Sequence, residues 1–459
     1  MSAHMSGFVP PAPIPLARPL SRLAGARMLL NDPLGMWTSR HFDEWVLSGQ
    51  SLLGHITIVS DPAAIRAFMV DRAVNYVKDD LQLRVLKPIL GEGLFTADGA
   101  AWKTQRRALA AMFTPRSVGG FAPGMAAAAT ALVDRWVTRG PRRVIQVDRE
   151  MTRLTLDGLD RSIFSGALTR DRAAVHEAQA YFAAMGAIDP LDLFGAPNWV
   201  PRIRRLRTRP VTRFFEALVE RIVADRHALL ADKPGTAPRD LLTLLFEARD
   251  AETGEGLSRA IVRDNVLTFL GAGTETTSSA LTWALYLLSQ DHKARERIEA
   301  EVDAVVGARD VVADDLPHLV WTRAVIDETL RLYPTAPLIQ RMAVSADTLH
   351  NVAIPAHSTV VYAPWVLHRH RKLWDRPEVF DPTRFLPGAP AIDRFAYLPF
   401  GAGPRICIGA SFALQQAVVS LATIVRRLRV DLLAGTAVMP EHRITLRPKG
   451  GLPMLATAR

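Results

Sequence analysis

The stretch FGAGPRICIG, Phe400 to Gly409, surrounds the only cysteine in a chain of 459 residues. A single cysteine forms no internal disulfide. Its setting presents the sulfur instead: Gly401 and Gly403 permit a tight loop, Pro404 stiffens it, and Gly409 lets another group approach the backbone closely. The run that follows, SFALQQAVVSLATIVRRLRV, is apolar at helical spacing and predicts a helix over Ser411 to Leu428. Cys407 then lies at a helix N-terminus, whose unpaired amides and dipole favour S⁻ over SH. Free cysteines are often plain small core residues, yet these neighbours describe a metal ligand's environment.

Phe400-x-x-Gly403-x-Arg405-x-Cys407-x-Gly409 resembles, at every fixed position, the heme-binding signature of the cytochrome P-450 family. The resemblance implies Cys407 as axial thiolate to the iron of heme b, Arg405 pairing a heme propionate, and Phe400 packing beside the sulfur. Upstream, Glu328 and Arg331 in AVIDETLRLYP share one helix face by their i, i+3 spacing, which alone would describe a weak surface pair. FDPTRF supplies Arg384 where the family places the third member of a buried Glu-Arg-Arg cluster, a structural network ahead of the heme loop.

The run LTFLGAGTETTSSALTWAL, Leu267 to Leu285, reads as a long apolar helix weakened by Gly271, Gly273 and several threonines. Thr276 can bond the carbonyl of Ala272 one turn back and bend the helix. That bond could be its whole role. Residues 272–277, AGTETT, also resemble the family's distal acid-alcohol motif, which makes Glu275 and Thr276 the proton-delivery pair on the oxygen side of the heme. Peroxide-using relatives replace this pair by arginine and proline, so an oxygen-dependent route is expected.

Trp102-x-x-x-Arg106 puts an indole N–H and a guanidinium on one helix face, and the family places this pair, after GLF and Thr96, along the heme edge. Arg341 in YPTAPLIQR resembles a further propionate donor. By family position the substrate pocket draws on a loop containing Leu81, Leu83 and Leu86, on Phe95, on Phe269, Leu270 and Ala272, and on Pro337, Leu338 and Ile339. Ala187 to Arg202 would form a mobile lid. Nearly all these pocket residues are apolar, which suits a fatty acid, terpene, steroid or aromatic substrate; MTRLTLDGL, GLFT and RLYPTAPL look most like the soluble fatty-acid-hydroxylating branch.

No linker, repeat or low-complexity tract divides the chain, so residues 31–459 are expected to form a single catalytic domain after a proline-rich, extended segment 1–30. Helical patterns over Met125–Trp136, Val211–Leu230, Ala260–Ser289 and Ser411–Leu428 outnumber strand-like runs at His55–Val59 and His357–Pro364. The resemblance implies the mainly helical cytochrome P-450 fold with a smaller β region, heme lying between the long distal helix and the Cys-loop helix.

The N-terminus offers no uninterrupted apolar run of about 20 residues, and a bacterial-type, cytoplasmic enzyme without membrane anchor is expected, as a monomer. The net charge of +10 is spread along the sequence without an aromatic-basic motif, which argues against nucleic acid. With only about fifty residues after Cys407, electrons are expected from a separate ferredoxin or flavodoxin and its NAD(P)H-dependent reductase. Lys103, Arg107, Arg426, Arg427 and Arg429, on helices the family places near the thiolate face, are either its docking site or plain solvated charge. A monooxygenase using O2 is the reading; a heme-thiolate isomerase or dehydratase, or a non-catalytic heme-binding sensor, are the alternatives.

Overall fold

The computed structural model describes residues 7–459 apart from 139, 172, 178–188, 194, 198 and 234. Its framework is helical: α1 (Arg22–Asn31), α2 (Asp80–Leu90), α3 (Gly99–Ala110), α4 (Ala122–Val137), α5 (Val147–Leu159), α6 (Ile203–Asp232), α7 (Arg259–Gln290), α8 (Val320–Leu332) and α9 (Ala410–Arg427). The 32-residue α7 runs through the middle and packs against α5, α6, α8 and α9, while α9 also packs on α4. Ser258 caps α7 by accepting the Ile261 N–H. From Thr277 to Ser289 every residue of α7 is buried, as expected of a helix enclosed on all sides. Its hydroxyls stay satisfied there because Thr268, Thr274 and Thr282 each donate to the carbonyl four residues back, at 2.7–2.9 Å. Trp283 stacks on Tyr333 with ring centroids 3.9 Å apart and joins α7 to the end of α8.

A five-stranded sheet lies to one side. It contains β1 (Val46–Ser51), β2 (Gly54–Val59), β3 (Tyr76–Val77), β4 (Ile339–Ala343) and β5 (Thr359–Tyr362), in the order β1-β2-β5-β4-β3. Only β2 and β5 pair in parallel, Ile56 opposite Thr359. Arg341 stands opposite Val360, and Tyr76 opposite Ala343, so Lys78, just past β3, emerges beside the strand that carries Arg341. A short hairpin, β6 (Pro440–His442) and β7 (Leu446–Pro448), leans on α7.

Two expectations about local structure change. The segment holding Leu81, Leu83 and Leu86 is not a loop but α2, capped by Asp79, which accepts the Leu81 N–H at 2.8 Å, and ended at Gly91, φ 63°. Leu83 and Leu86 share a face of it that Leu81 does not. The N-terminal segment is extended only in part. Phe8 accepts the Phe380 N–H, Pro11 accepts the Tyr333 hydroxyl and Leu16 bridges to Thr38, but a Ser21 cap starts a proline-free helix over Arg22–Asn31. The expected lid, Ala187 to Arg202, lies partly outside the described residues. Within it the buried Arg202 donates to Asp192 at 3.0 Å and to the carbonyls of Ala196, Pro197 and Val200, and Arg84 of α2 donates to the Asp192 carbonyl at 3.0 Å.

Glu328 and Arg331 on α8 are both 0% exposed and form a two-pronged pair at 2.6 and 2.8 Å. Arg331 also donates to the carbonyls of His368, Pro377 and Val379, while Glu328 accepts the Asp381 N–H at 2.8 Å and has Arg384 at 3.6 Å. The pair is therefore a buried network. Glu328→Ala or Arg331→Ala would strand the remaining charge at a cost of about 3–5 kcal/mol. A lower denaturant midpoint and poor soluble yield are expected; a midpoint equal to the parent's would reduce the cluster to an ordinary surface pair.

Candidate active site

The Cys407 loop is built by its glycines. Gly401 and Gly403 have φ of 78° and 71°, and a Cβ on Gly403 would come within 1.9 Å of the Met69 carbonyl oxygen. The loop closes through the Cys407 N–H, which donates to the Phe400 carbonyl at 2.8 Å. Phe400 itself packs against the main core. Gly409 precedes α9, and a Cβ there would meet nothing nearer than the Cys407 sulfur at 4.0 Å, so that side of the sulfur is unobstructed by backbone.

Cys407 is solvent-exposed, although protein atoms crowd around its sulfur. Burial pushes its thiol up, opposed by the Gly409 N–H and by the charge of Arg106. The expected preference for thiolate is thus opposed by desolvation. A coordinated metal ion would favour the thiolate directly.

Around this loop the structure gathers positive charge. Arg405 donates to the Ala97 carbonyl at 3.0 Å, pairs with Asp98 and lies over the Trp102 ring, 4.3 Å from its centroid. Arg341 is nine-tenths buried, with one guanidinium N–H on the Gln340 carbonyl. Lys78, which the sequence reading missed, is buried among them; desolvation first, then Arg405 and Arg341, bring it down to about 7. Arg341, Arg405 and Lys78 surround one carboxylate, Asp98; Lys78, brought down to about 7, would regain its full charge beside an anion, and the cluster suits a group bearing two carboxylates.

The nearby Tyr362 hydroxyl is buried and has no hydrogen-bond partner among the described residues. Lys78, Arg341, Arg405, Tyr362 and the unobstructed sulfur of Cys407 thus fit heme b: its propionates would take the cationic edge and Cys407 its iron. Arg106 is acted on by Cys407, which sets it on the sulfur's side of this cluster.

The distal wall is α7. Thr276 donates to the Ala272 carbonyl at 2.7 Å, the back-bond read from the sequence, and α7 continues through it. Gly271 and Ala272 are exposed on the same stretch, whereas Phe269 packs edge-on against Phe113 and Leu270 is 3% exposed in the core. Glu275 is half-buried by surface, and desolvation pushes its carboxyl up, against Thr445, whose hydroxyl donates to it at 3.0 Å, and against the charge of Arg447. Of the remaining pocket candidates, Leu81, Leu83, Leu86, Leu338 and Ile339 are half-buried, Pro337 is buried, and Phe95 is exposed with the Lys78 ammonium 5.2 Å over its ring.

The loop between α2 and α3 joins the two walls. Asn265 and Asp264 of α7 accept the N–H groups of Leu94 and Glu92, at 3.0 and 2.8 Å, while Ala97 and Asp98 hold Arg405.

The basic residues expected near the thiolate face do not form one patch. Arg426 and Arg427 end α9, about 27 Å along the helix from its Cys407 end. Arg429 lies on a strand, Leu428–Leu432, and pairs with Glu299. Arg107 pairs with Asp250 and Glu252, Arg426 with Asp310, and Arg427 with Asp134. Lys103 is exposed. Among the described residues, no helix is long and apolar enough to cross a membrane.

The family pattern "Cytochrome P450" matches residues 51–453. Cyclooctatin synthase of Streptomyces melanosporofaciens is 36% identical over 81% of this chain and 80% of the relative. Cyclooctat-9-en-7-ol 5-monooxygenase of the same organism is 32% identical over 81% and 80%, and pentalenene oxygenase of Streptomyces avermitilis 31% over 81% of each. The crystal structure of a cytochrome P450DA heme domain superposes with a TM-score of 0.82 at 27% identity, covering 98% of both chains. Two of these relatives are named as oxygenases, of cyclooctat-9-en-7-ol and of pentalenene, and the names do not single out a fatty-acid-hydroxylating branch. With its Cys407 loop, cationic edge and acid-alcohol helix in this fold, the chain belongs to the cytochrome P450 family of heme b monooxygenases.

Proposed function

We infer that the chain hydroxylates a cyclic terpene hydrocarbon or terpene alcohol, using O2 and two electrons from a separate ferredoxin or flavodoxin. The observation that carries the monooxygenase chemistry is the adjacency of Glu275, whose carboxyl is pushed up by burial, and Thr276, whose hydroxyl lies on the less buried stretch of α7. Bound heme would supply oxygen activation, with Cys407 as the electron-donating ligand. The protein's part is to hold this group and move protons to its distal side. Lys78, Arg341 and Arg405 would anchor the propionates and Trp102 would back Arg405.

Glu275 retains a proton more readily than an exposed carboxyl, because desolvation disfavours its charged form. Thr276 is the next hydroxyl toward the open side. Rotating its O–H away from the Ala272 carbonyl would let it pass that proton onward. The terpene assignment rests on the named substrates of two relatives and on the apolar character of the pocket candidates.

An isomerase or a sensor would need no proton delivery, so retention of Glu275 and Thr276 favours oxygenation. Ferric-heme optical shifts on titration should occur with cyclic sesquiterpenes and diterpenes; saturation by fatty acids and none by terpenes would overturn the substrate assignment.

Cys407→Ser should keep the fold yet lose the red-shifted absorption of the ferrous carbon monoxide complex, and an unchanged spectrum would remove Cys407 as ligand. Thr276→Ala should leave heme and fold in place but divert electrons to hydrogen peroxide. Product formed per NADH consumed measures this, and parental coupling would reduce Thr276 to a helix-bonding residue. Glu275→Gln should slow turnover by about 100-fold, the lower end of what a positioned acid contributes.

A further inference from the structure

Glu275 belongs to a stripe of α7 that is tied to one short hairpin. Residues 275, 279 and 283 recur at four-residue spacing and so share a face of the helix. All three bond the residues at the end of the β6–β7 turn. The Thr445 hydroxyl donates to Glu275 Oε1 at 3.0 Å, the Ser279 hydroxyl donates to the Leu446 carbonyl, and Trp283 Nε1 donates to the same carbonyl at 3.0 Å. The Leu446 N–H is itself fixed on the Thr335 carbonyl at 3.2 Å. Thr445 is 5% exposed, so its hydroxyl has been withdrawn from water and spends its proton on one acceptor.

The hairpin also brings charge. Arg447 acts on Glu275 from β7 and is held by Glu441, 3.6 Å away, which also pairs with Arg443 at 2.8 Å. His442, on β6, is brought down to about 4 by burial and is neutral near pH 7. Among the described residues, α2, α5, α6, α8 and α9, which also pack on α7, bring no charged group that acts on Glu275.

We propose that Thr445 is a positioning residue for the proton-delivering acid, fixing Glu275 Oε1 as the hydrogen-bond acceptor so that the transferable proton resides on Oε2. A hydroxyl donating to one oxygen of a carboxylic acid marks that oxygen as the carbonyl, which leaves the O–H on the other. Thr445 thereby selects both the rotamer and the protonated oxygen, and the terminal hairpin becomes part of the oxygenation machinery. This inference rests on Glu275 being the acid behind Thr276.

The test uses the heme-loaded protein, with the ferrous carbon monoxide spectrum as the check on fold. Infrared difference spectra would follow the Glu275 carboxyl band against pH, with Glu275→Gln identifying the band. Thr445→Val keeps the shape and deletes the donor. A donor to the carboxylate favours its charged form, so its loss raises the midpoint, by about one pH unit for a typical single hydrogen bond. The alkaline limb of product formed per NADH should move up by the same amount. Thr445→Ser should retain the parent midpoint, and Arg447→Gln should shift it in the same direction as Thr445→Val.

An unchanged midpoint and limb in Thr445→Val, with Glu275→Gln impaired, would overturn the positioning role alone. Parental coupling in Glu275→Gln would instead overturn the acid itself, and the role of Thr445 in delivery with it. Misfolding of Thr445→Val would leave the decision to Arg447→Gln and Thr445→Ser, where a midpoint unmoved in the first or shifted in the second counts against the proposal.

Discussion

Arg331 has five N–H donors, and all five are used without solvent: two on Glu328, and three on the carbonyls of His368, Pro377 and Val379. Removing a guanidinium from water is tolerable only under such complete satisfaction. The consequence is geometric. Three separated carbonyls of a segment with little regular structure are locked to one side chain of α8. Asp327 on the same helix holds the Tyr397 hydroxyl through its carbonyl at 2.9 Å, and His368 Nε2 accepts the Leu398 N–H at 2.9 Å. Tyr397 and Leu398 lead directly into Phe400. Hydrogen bonds anchored on α8 thus place the chain entering the Cys407 loop, and the loop's own contacts, Gly403 against Met69 and Arg405 on Ala97 and Asp98, complete its position.

A second constraint is electrostatic and works in the opposite sense. Lys78, Arg341 and Arg405 are brought together by strand pairing and by the Asp98 contact, although like charges at low dielectric repel. Such a cluster is a local weakness of the chain by itself and a strong site for a dianionic edge. Burial is what makes both true, since it removes the solvent that would otherwise screen the repulsion and compete for the anion. Trp102 contributes a ring face to Arg405, which a guanidinium tolerates better than an ammonium would.

The sequence disclosed those parts whose meaning is local. Gly401 and Gly403, the α7 run with its back-bonding Thr276 and the apolar stripe of α9 each have a short-range signature, and the positive φ angles, the Thr276 bond and the helices follow it; the i, i+3 pair on α8 forms as spaced, but its burial was legible only through the family resemblance. What escaped depends on long-range pairing. Lys78 reads as an ordinary charge beside two aspartates, and only the register of β3 against β4 turns it inward. Thr445 lies 170 residues from Glu275, with nothing local to mark it. The segment holding Leu81 is placed in a loop only by family position, whereas the Asp79 cap begins a helix there that tolerates Pro88 and runs to Leu90. The basic residues stay open between docking site and solvated charge in the sequence for a related reason: a charge on a sequence is visible, but its carboxylate partner is not.

That pairing changes what the chain's basicity means. Arg107, Arg426, Arg427 and Arg429 each contact at least one carboxylate, so their fields are short-ranged dipoles rather than a patch that would steer an acidic protein. Positive charge is instead concentrated at the buried Lys78 and Arg341 and the half-buried Arg405. Electrostatics in this molecule is therefore organised around the interior. On the proximal side Arg106 opposes the desolvation of Cys407, and on the distal side Arg447 and Thr445 oppose that of Glu275. In both cases burial favours the neutral form and a neighbour offsets it in part, which leaves each group dependent on its occupant or its hydrogen-bond partner to set the final protonation state.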